Sequence, residues 1–362
     1  VSTQAASPLA RRIFAASVAG QILLVLTGGL VRLTGSGLGC PTWPQCVPGS
    51  YTPVAHQAQS FHKYIEFGNR SLSFALGALA VACVVVAFAQ RPRRRRLVGL
   101  AALQLLGIPA QAVVGGLTVL TDLNPAVVAC HFLVSMLLVV AAVMLYERSG
   151  EGDGPVRPLA RAEIALLGWA LIAVSGLVLV AGAVVTGTGP HAGDEKARRF
   201  GFDPKDVTFL HADLVFLLLG LAIALAVALR VSDGPAAARA RARTMLLVIL
   251  GQGVIGYLQY FTKLPVAEVA LHMVGACLVL VGAVRLRCAL RTRDELPRGA
   301  EPASPAASLA APGRLLDHDQ LGVVGVGANP AGDERAHRPD TQAAGTDVVQ
   351  RRVDQRAADT AT

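Results

Sequence analysis

Three histidines lie inside long apolar stretches of this 362-residue chain, where an ionisable side chain is costly and needs a use. His131 falls in PAVVACHFLVSM, His211 in VTFLHADLVF and His272 in VAEVALHMVG. Imidazole is a metal ligand and a common axial ligand of haem iron. An internal repeat places two of the three alike. Gln111–Leu123 (QAVVGGLTVLTDL) aligns with Gln252–Leu264 (QGVIGYLQYFTKL), with Gln, Val, Gly, Leu, Thr and Leu recurring in register. Both copies run on without a gap to His131 and His272. The pattern points to two related metal or haem sites, one per half of the chain. His211 and His272, from the same half, could clamp one iron from both faces. For any one of them the alternative is a histidine hydrogen-bonded to a neighbouring helix.

A second group lies in FHKYIEFGNRSLS. Glu66, Asn69 and Arg70 are spaced i, i+3, i+4 and share a helix face, with His62 one turn earlier. Glu66 could stabilise positive charge or move protons beside a bound substrate. Arg70 could pair with Glu66 or hold a carboxylate, and a structural Glu–Arg pair is the plainer reading. Asn69 stands where a second histidine would make the first half resemble the second. Cys40 and Cys46, in GLGCPTWPQC, are close enough to close a small loop as a disulfide or redox pair, with free thiols or a metal site as alternatives. Arg32 could bind a propionate or snorkel to the interface. His191, in GTGPHAGD, could guard a site or relay protons, or be a solvated loop residue. Gly35, Gly37 and Gly39 permit tight turns near a ligand. Asp213 and Glu268 lie near His211 and His272, and Trp43 reads as an interfacial anchor.

The elements that must position these residues are spans. The chain is 53% hydrophobic and only 16% charged, whereas soluble domains are about a quarter charged. Eight apolar runs of spanning length are expected near 13–33, 66–89, 97–120, 126–146, 162–186, 208–230, 244–262 and 266–287. The net charge of +9 does not call for nucleic acid, because arginine is concentrated in alternate loops, as the positive-inside rule expects. Both termini are then cytoplasmic. The first run reads as a span rather than a cleavable leader. Cys83, Cys130 and Cys277 within spans read as packing residues. The fold class is therefore an all-α polytopic membrane protein. Its eight helices form two tandem four-helix bundles related by a pseudo-twofold axis along the membrane normal. The halves are 1–146 and 162–290, joined by a polar linker at 147–161 and followed by a disordered cytoplasmic tail at 291–362. Thr34-Gly-Ser-Gly37 and Thr186-Gly-Thr-Gly189 echo each other at the ends of the first helices of the halves. His318 and His337 in the tail read as bystanders.

Taken in order, GGLVRLTGSGLGCPTWPQC, IEFGNRSLS, QAVVGGLTVLTDLNPAVVACHF, GTGPHAGD and QGVIGYLQYFTKLPVAEVALHM resemble the haem A synthase family over about residues 13–287, in the form found in high-GC Gram-positive bacteria. The resemblance implies an oxidoreductase of the bacterial plasma membrane. It would convert the C8 methyl of haem O to a formyl group by two hydroxylations and loss of water, giving haem A for cytochrome oxidase. It implies haem b in the C-terminal half, held by His211 and His272. Haem O would lie in the N-terminal half with His131, near Asn69, Arg70 and Arg32. Glu66 would sit near the reacting methyl, and Cys40 and Cys46 would be a redox-active pair. Many relatives carry histidine where Asn69 stands, which leaves a five-coordinate iron or His62 as the substitute ligand. Some carry a cysteine pair after the fifth helix, absent here. The partners implied are haem O, the lipid bilayer, an electron donor and the farnesyltransferase that makes haem O, with a homo-oligomer left open.

Two other functions fit parts of the pattern. A di-haem b-type electron-transfer cytochrome would place histidines on facing helices, but with two complete pairs. A transporter would share the duplicated bundle, but would break its helices at the midplane.

Overall fold

The computed structural model describes residues 5–293. Eight helices dominate: α1 Pro8–Leu33, α2 His62–Ala89, α3 Arg95–Leu120, α4 Pro125–Ser149, α5 Ala162–Thr188, α6 Pro204–Val231, α7 Ala236–Phe261 and α8 Val266–Ala289. Each is long and apolar enough to cross a bilayer, and the chain is a multi-pass membrane protein. Large apolar side chains such as Phe74, Leu106, Leu137 and Leu247 face outward, as lipid contact requires and water would not tolerate.

Most helices extend beyond the apolar runs, and three of the eight have chemically marked starts. Ser7, Asn124 and Asp203 each accept a backbone N–H through a side-chain oxygen, and each precedes a proline at the first helical position of α1, α4 or α6. The repeated segments also end alike. Asp122 and Leu123 after α3, and Lys263 and Leu264 after α7, all have positive φ (51°, 58°, 63° and 61°). Left-handed backbone is unfavourable for leucine. It is offset in both copies by a bond from the leucine N–H back into the helix, Leu123 to Thr118 O and Leu264 to Gln259 O. The echo between Thr34–Gly37 and Thr186–Gly189 is looser: Thr34 caps α1, whereas Thr186 is still inside α5.

In the first half α1 packs on α2 and α4, and α3 on α2 and α4. In the second, α5 packs on α6 and α8, and α7 on α6 and α8. The halves meet where α1 and α4 contact α8 and where α4 contacts α5. The α4–α8 seam buries Met136, Val139, Val143, Cys277, Leu280 and Val284. Cys83 and Cys277 are packing residues, but Cys130 is exposed; it lies on the side of α4 that no neighbouring helix covers.

The expected linker and tail are partly structured. Glu147–Ser149 complete α4. Arg157–Pro158 (β1) pair antiparallel with Arg291–Thr292 (β2), so residues 291–293 belong to the folded body. Acidic residues hold this arginine-rich end together. Glu147 bridges Arg241 and Arg285, Glu151 bridges Arg291 and Arg293, and buried Arg94 reaches Asp153 and the carbonyls of Arg148, Ser149 and Glu151. The remaining tail, with His318 and His337, lies outside the described residues.

Two glutamines cross the interior of the first half. Gln21 Nε2 on α1 donates to Gln104 Oε1 on α3 (2.6 Å), and Gln104 Nε2 donates to Leu138 O on α4 (2.9 Å). In the repeat register Met245 stands where Gln104 does, within an apolar cluster. Replacing Gln104 alone with leucine strands a buried amide and should cost about 1–3 kcal/mol. The Gln21→Leu/Gln104→Leu double variant should recover most of that. Thermal unfolding of both in detergent checks this; a double variant no more stable than the single would show that the pair is not the source.

Candidate functional site

Each candidate polar side chain sits against a glycine of the preceding helix. A Cβ added to Gly115 on α3 would lie 3.1 Å from Cε1 of His131 on α4. The same construction gives 3.2 Å from Gly182 (α5) to His211 (α6), and 3.8 Å from Gly256 (α7) to His272 (α8). In the first pair of helices, Gly28 (α1) stands 3.8 Å in the same sense from Nδ2 of Asn69 (α2). Four consecutive helix pairs thus present three imidazoles and one carboxamide in corresponding places.

His211 and His272 face each other with ring centroids 6.5 Å apart and planes inclined by 66°. Their Nδ1 atoms, and that of His131, are buried and without a hydrogen-bond partner among the described residues. Buried polar atoms are rarely left so. His211 lies against the main chain of Val178 on α5, whereas no such tie to a neighbouring helix is seen for the rings of His131 and His272 among the described residues. All three side chains are half-buried, which leaves the Nε2 edge as the one open to a ligand. Asp213 is exposed, and Glu268 accepts from Thr262 (2.6 Å); neither is bonded to a site histidine.

Glu66 is buried one turn into α2, and both carboxylate oxygens are engaged. Oε2 accepts the backbone N–H of Cys40 (2.7 Å), and Oε1 accepts from Arg70 Nη2 (2.6 Å) and Nε (3.1 Å). Cys40 is disulfide-bonded to Cys46. Arg70 holds the same loop by its carbonyls, donating to Cys40 O (2.9 Å), Thr42 O (3.2 Å) and Gln45 O (3.4 Å). Trp43 is seated where a side chain on Gly116 of α3 would be, so it locks the loop rather than only anchoring the interface. Lys63 extends the clamp, donating to Val54 O and Ala55 O.

The geometry shows what holds several of the candidate residues, and for Arg70 it is the Glu66 pair already offered as the plainer reading. Arg70 is committed to Glu66 and loop carbonyls rather than open to a substrate carboxylate. Arg32 donates to His191 O (2.7 Å) and Thr186 O (2.9 Å), joining the end of α1 to the loop after α5 instead of presenting these nitrogens to a propionate. His191 is not a solvated loop residue: its Nε2 lies 2.9 Å from Leu264 O, beside the strained turn after α7. His62 Nδ1 is paired with Ser36 Oγ (2.8 Å), which fastens that ring to the loop. Gly39 makes room for the backbone of His62, not for a ligand. Sequence reasoning missed Thr27, Gly28, Gly115, Gly116, Gly182 and Gly256. The glycines are visible as residues, but only helix pairing shows what each one faces.

Removing the Arg70 clamp with Arg70→Ala should free the carbonyls of Cys40, Thr42 and Gln45 next to the disulfide, while Glu66, Trp43 and Lys63 still hold the loop elsewhere. The Cys40–Cys46 bond should then react several-fold faster with a mild membrane-impermeant reductant, followed by thiol labelling of the two cysteines. An unchanged rate would show that Arg70 does not control access to the bond.

A family model described as COX15-CtaA, cytochrome oxidase assembly protein, matches residues 11–284. Among similar curated proteins, the heme A synthase of Geobacillus thermodenitrificans is 34% identical over 125 residues, 34% of this chain and 38% of that protein. The heme A synthase of Symbiobacterium thermophilum is 32% identical over 187 residues, 48% of this chain and 58% of that protein. The matched stretches thus span well under two thirds of these relatives, whereas the family model covers all eight helices. On that coverage the chain belongs to the COX15-CtaA family of cytochrome oxidase assembly proteins.

Proposed function

We propose that the protein is a haem A synthase that oxidises the C8 methyl of haem O to a formyl group. The facing pair His211 and His272 carries this reading. Two imidazoles bonded to opposite faces of one iron at about 2 Å each would have centroids roughly 6 Å apart, and these stand at 6.5 Å. The donor set also suits haem: neutral nitrogen ligands inside an apolar bundle, each with one buried nitrogen and one open edge. The C-terminal half would hold haem b through His211 and His272, and the N-terminal half would hold haem O through His131. When bound, haem supplies the redox chemistry that no side chain here can.

The protein's own residues then bind, orient and move protons. Each hydroxylation would replace a C–H with a C–OH, a two-electron oxidation that needs an external oxidant, for instance dioxygen with two electrons and two protons, the second oxygen atom leaving as water; the geminal diol formed by the second then loses water to leave the formyl group. Glu66 stands at the head of the N-terminal half beneath the disulfide loop, where its carboxylate can balance positive charge at the reacting carbon and take up a proton. Arg70 positions Glu66 and the loop together. Gln21 and Gln104 cross the bundle about two to three turns below His131 and Asn69, while the loop with Trp43 covers the other end. A haem O held by His131 would lie between these two polar levels, with its isoprenoid tail directed towards lipid. The arginine-rich end would face the cytoplasm of a bacterial cell and the disulfide end the outside, where such bonds persist. A di-haem electron carrier is disfavoured because Asn69 stands where a fourth imidazole would.

Co-expression with a haem O supply, followed by chromatography of extracted haems, tests the reading. The wild type should yield haem A. Glu66→Gln should lower haem A formation by about 100-fold or more, the scale of losing a proton-transfer group, with haem O or a hydroxylated intermediate accumulating. His272→Ala should lose the haem of the C-terminal half. Haem B alone, with haem O demonstrably present, would sink the synthase assignment.

A further inference from the structure

We propose that the N-terminal half keeps one face of its haem iron open to small exogenous ligands, and that the Asn69 carboxamide lies over that face as a hydrogen-bond donor. This rests on the reading of that half as a haem site held by His131. The argument starts from the four glycine-backed positions. In the second half both are imidazoles, and a shared iron would be closed on both faces. In the first half the position corresponding to His211 is Asn69, seated against Gly28 as the imidazoles are seated against their glycines.

The surroundings of Asn69 decide how it can act. Thr27 Oγ1 on α1 donates to Asn69 Oδ1 at 2.8 Å. That bond takes one of the two lone pairs of the oxygen and directs the oxygen towards α1. It also turns the amide so that Nδ2 is the remaining end, and Nδ2 has no partner among the described residues. An amide nitrogen has its lone pair delocalised into the carbonyl; it donates two hydrogen bonds and does not ligate iron. His62, the other imidazole near this end of α2, is held by Ser36 at 2.8 Å. Asn69 therefore presents a donor rather than a ligand, and His62, seven residues earlier, lies about 10 Å along α2 from the level of Asn69, away from the face that Asn69 covers. The ligands suited to the open face are small and accept a hydrogen bond: diatomic gases on ferrous iron and small anions on ferric iron.

The test is spectroscopic and does not depend on turnover. Wild-type protein, purified with its haem complement and reduced, is exposed to carbon monoxide. One of its two haems should bind the gas, and the oxidised protein should contain a high-spin ferric component. Asn69→His should abolish carbon monoxide binding and convert the high-spin component to low-spin. Asn69→Leu should keep the binding but shift the carbon–oxygen stretch to higher frequency, because the donor is gone. Two low-spin haems and no binding in the wild type would overturn the open face. Undiminished binding in Asn69→His would show that residue 69 does not face the iron, which overturns the proposal as well. An unshifted stretch in Asn69→Leu would remove the hydrogen-bonding role. Purified protein that takes up no haem at all would instead overturn the haem A synthase reading itself.

Discussion

A polar side chain that projects from one transmembrane helix towards another needs space that close helix packing does not leave. Here the space comes from a missing Cβ on the neighbouring helix. Gly115 and Gly182 are the tight cases, where an added carbon would press on the rings of His131 and His211; Gly28 and Gly256 are looser versions of the same seat. This steric constraint bears on the approach of α3 to α4 and of α5 to α6, and so on the seats of His131 and His211; at Gly28 and Gly256 an added carbon would make ordinary contact. Backbone groups in hydrocarbon must be satisfied within the helices, so the helices cannot unwind to make room. Small residues at the contact are the remaining solution.

The halves share this plan and differ in what surrounds it. The first has a polar crossing, Gln21 to Gln104 to the carbonyl of Leu138, and a disulfide-closed loop pressed on Gly116 by Trp43 and clamped by Arg70. The second has an apolar cluster with Met245 at the place of Gln104, and no disulfide among the described residues. One half is thus furnished with polar groups and a covalently closed cover, the other with a pair of imidazoles in an apolar setting.

Most of the architecture was legible in the sequence because its signals are periodic and one-dimensional. Apolar run length defined the eight helices to within a turn or two. The repeat of Gln111–Leu123 in Gln252–Leu264 is matched by a shared backbone, but the two left-handed residues that end each copy carry no glycine to announce them and are visible only in the structure. Helix spacing put Glu66, Asn69 and Arg70 on one face. Partner choice was not legible, because it is set by three-dimensional neighbours far apart in the chain. Arg32 and Arg70 have several acceptors within reach of a long side chain, and nothing in the sequence shows that carbonyls of folded loops come closest. Trp43 was read as an anchor because its seat, Gly116, lies more than seventy residues away. Arg291–Arg293 were assigned to the tail because their composition matches it, although pairing with Arg157–Pro158 and bonds to Glu151 draw them into the body.

Arg32, Arg70 and Lys63 fix the loops at one end of the bundle chiefly through main-chain oxygens: those of Thr186 and His191, of Cys40, Thr42 and Gln45, and of Val54 and Ala55. A carbonyl is the same acceptor whatever side chain it carries. The shape of these loops is thus tied to three cations on the helices and hardly at all to the identity of the residues being held. Surface positions in the loops are therefore free to change over evolutionary time while the carboxylate of Glu66 beneath stays where it is. The cost of that freedom falls on the cations: exchanging Arg70 for lysine would preserve the charge but forfeit the fork that reaches a carboxylate and three carbonyls at once.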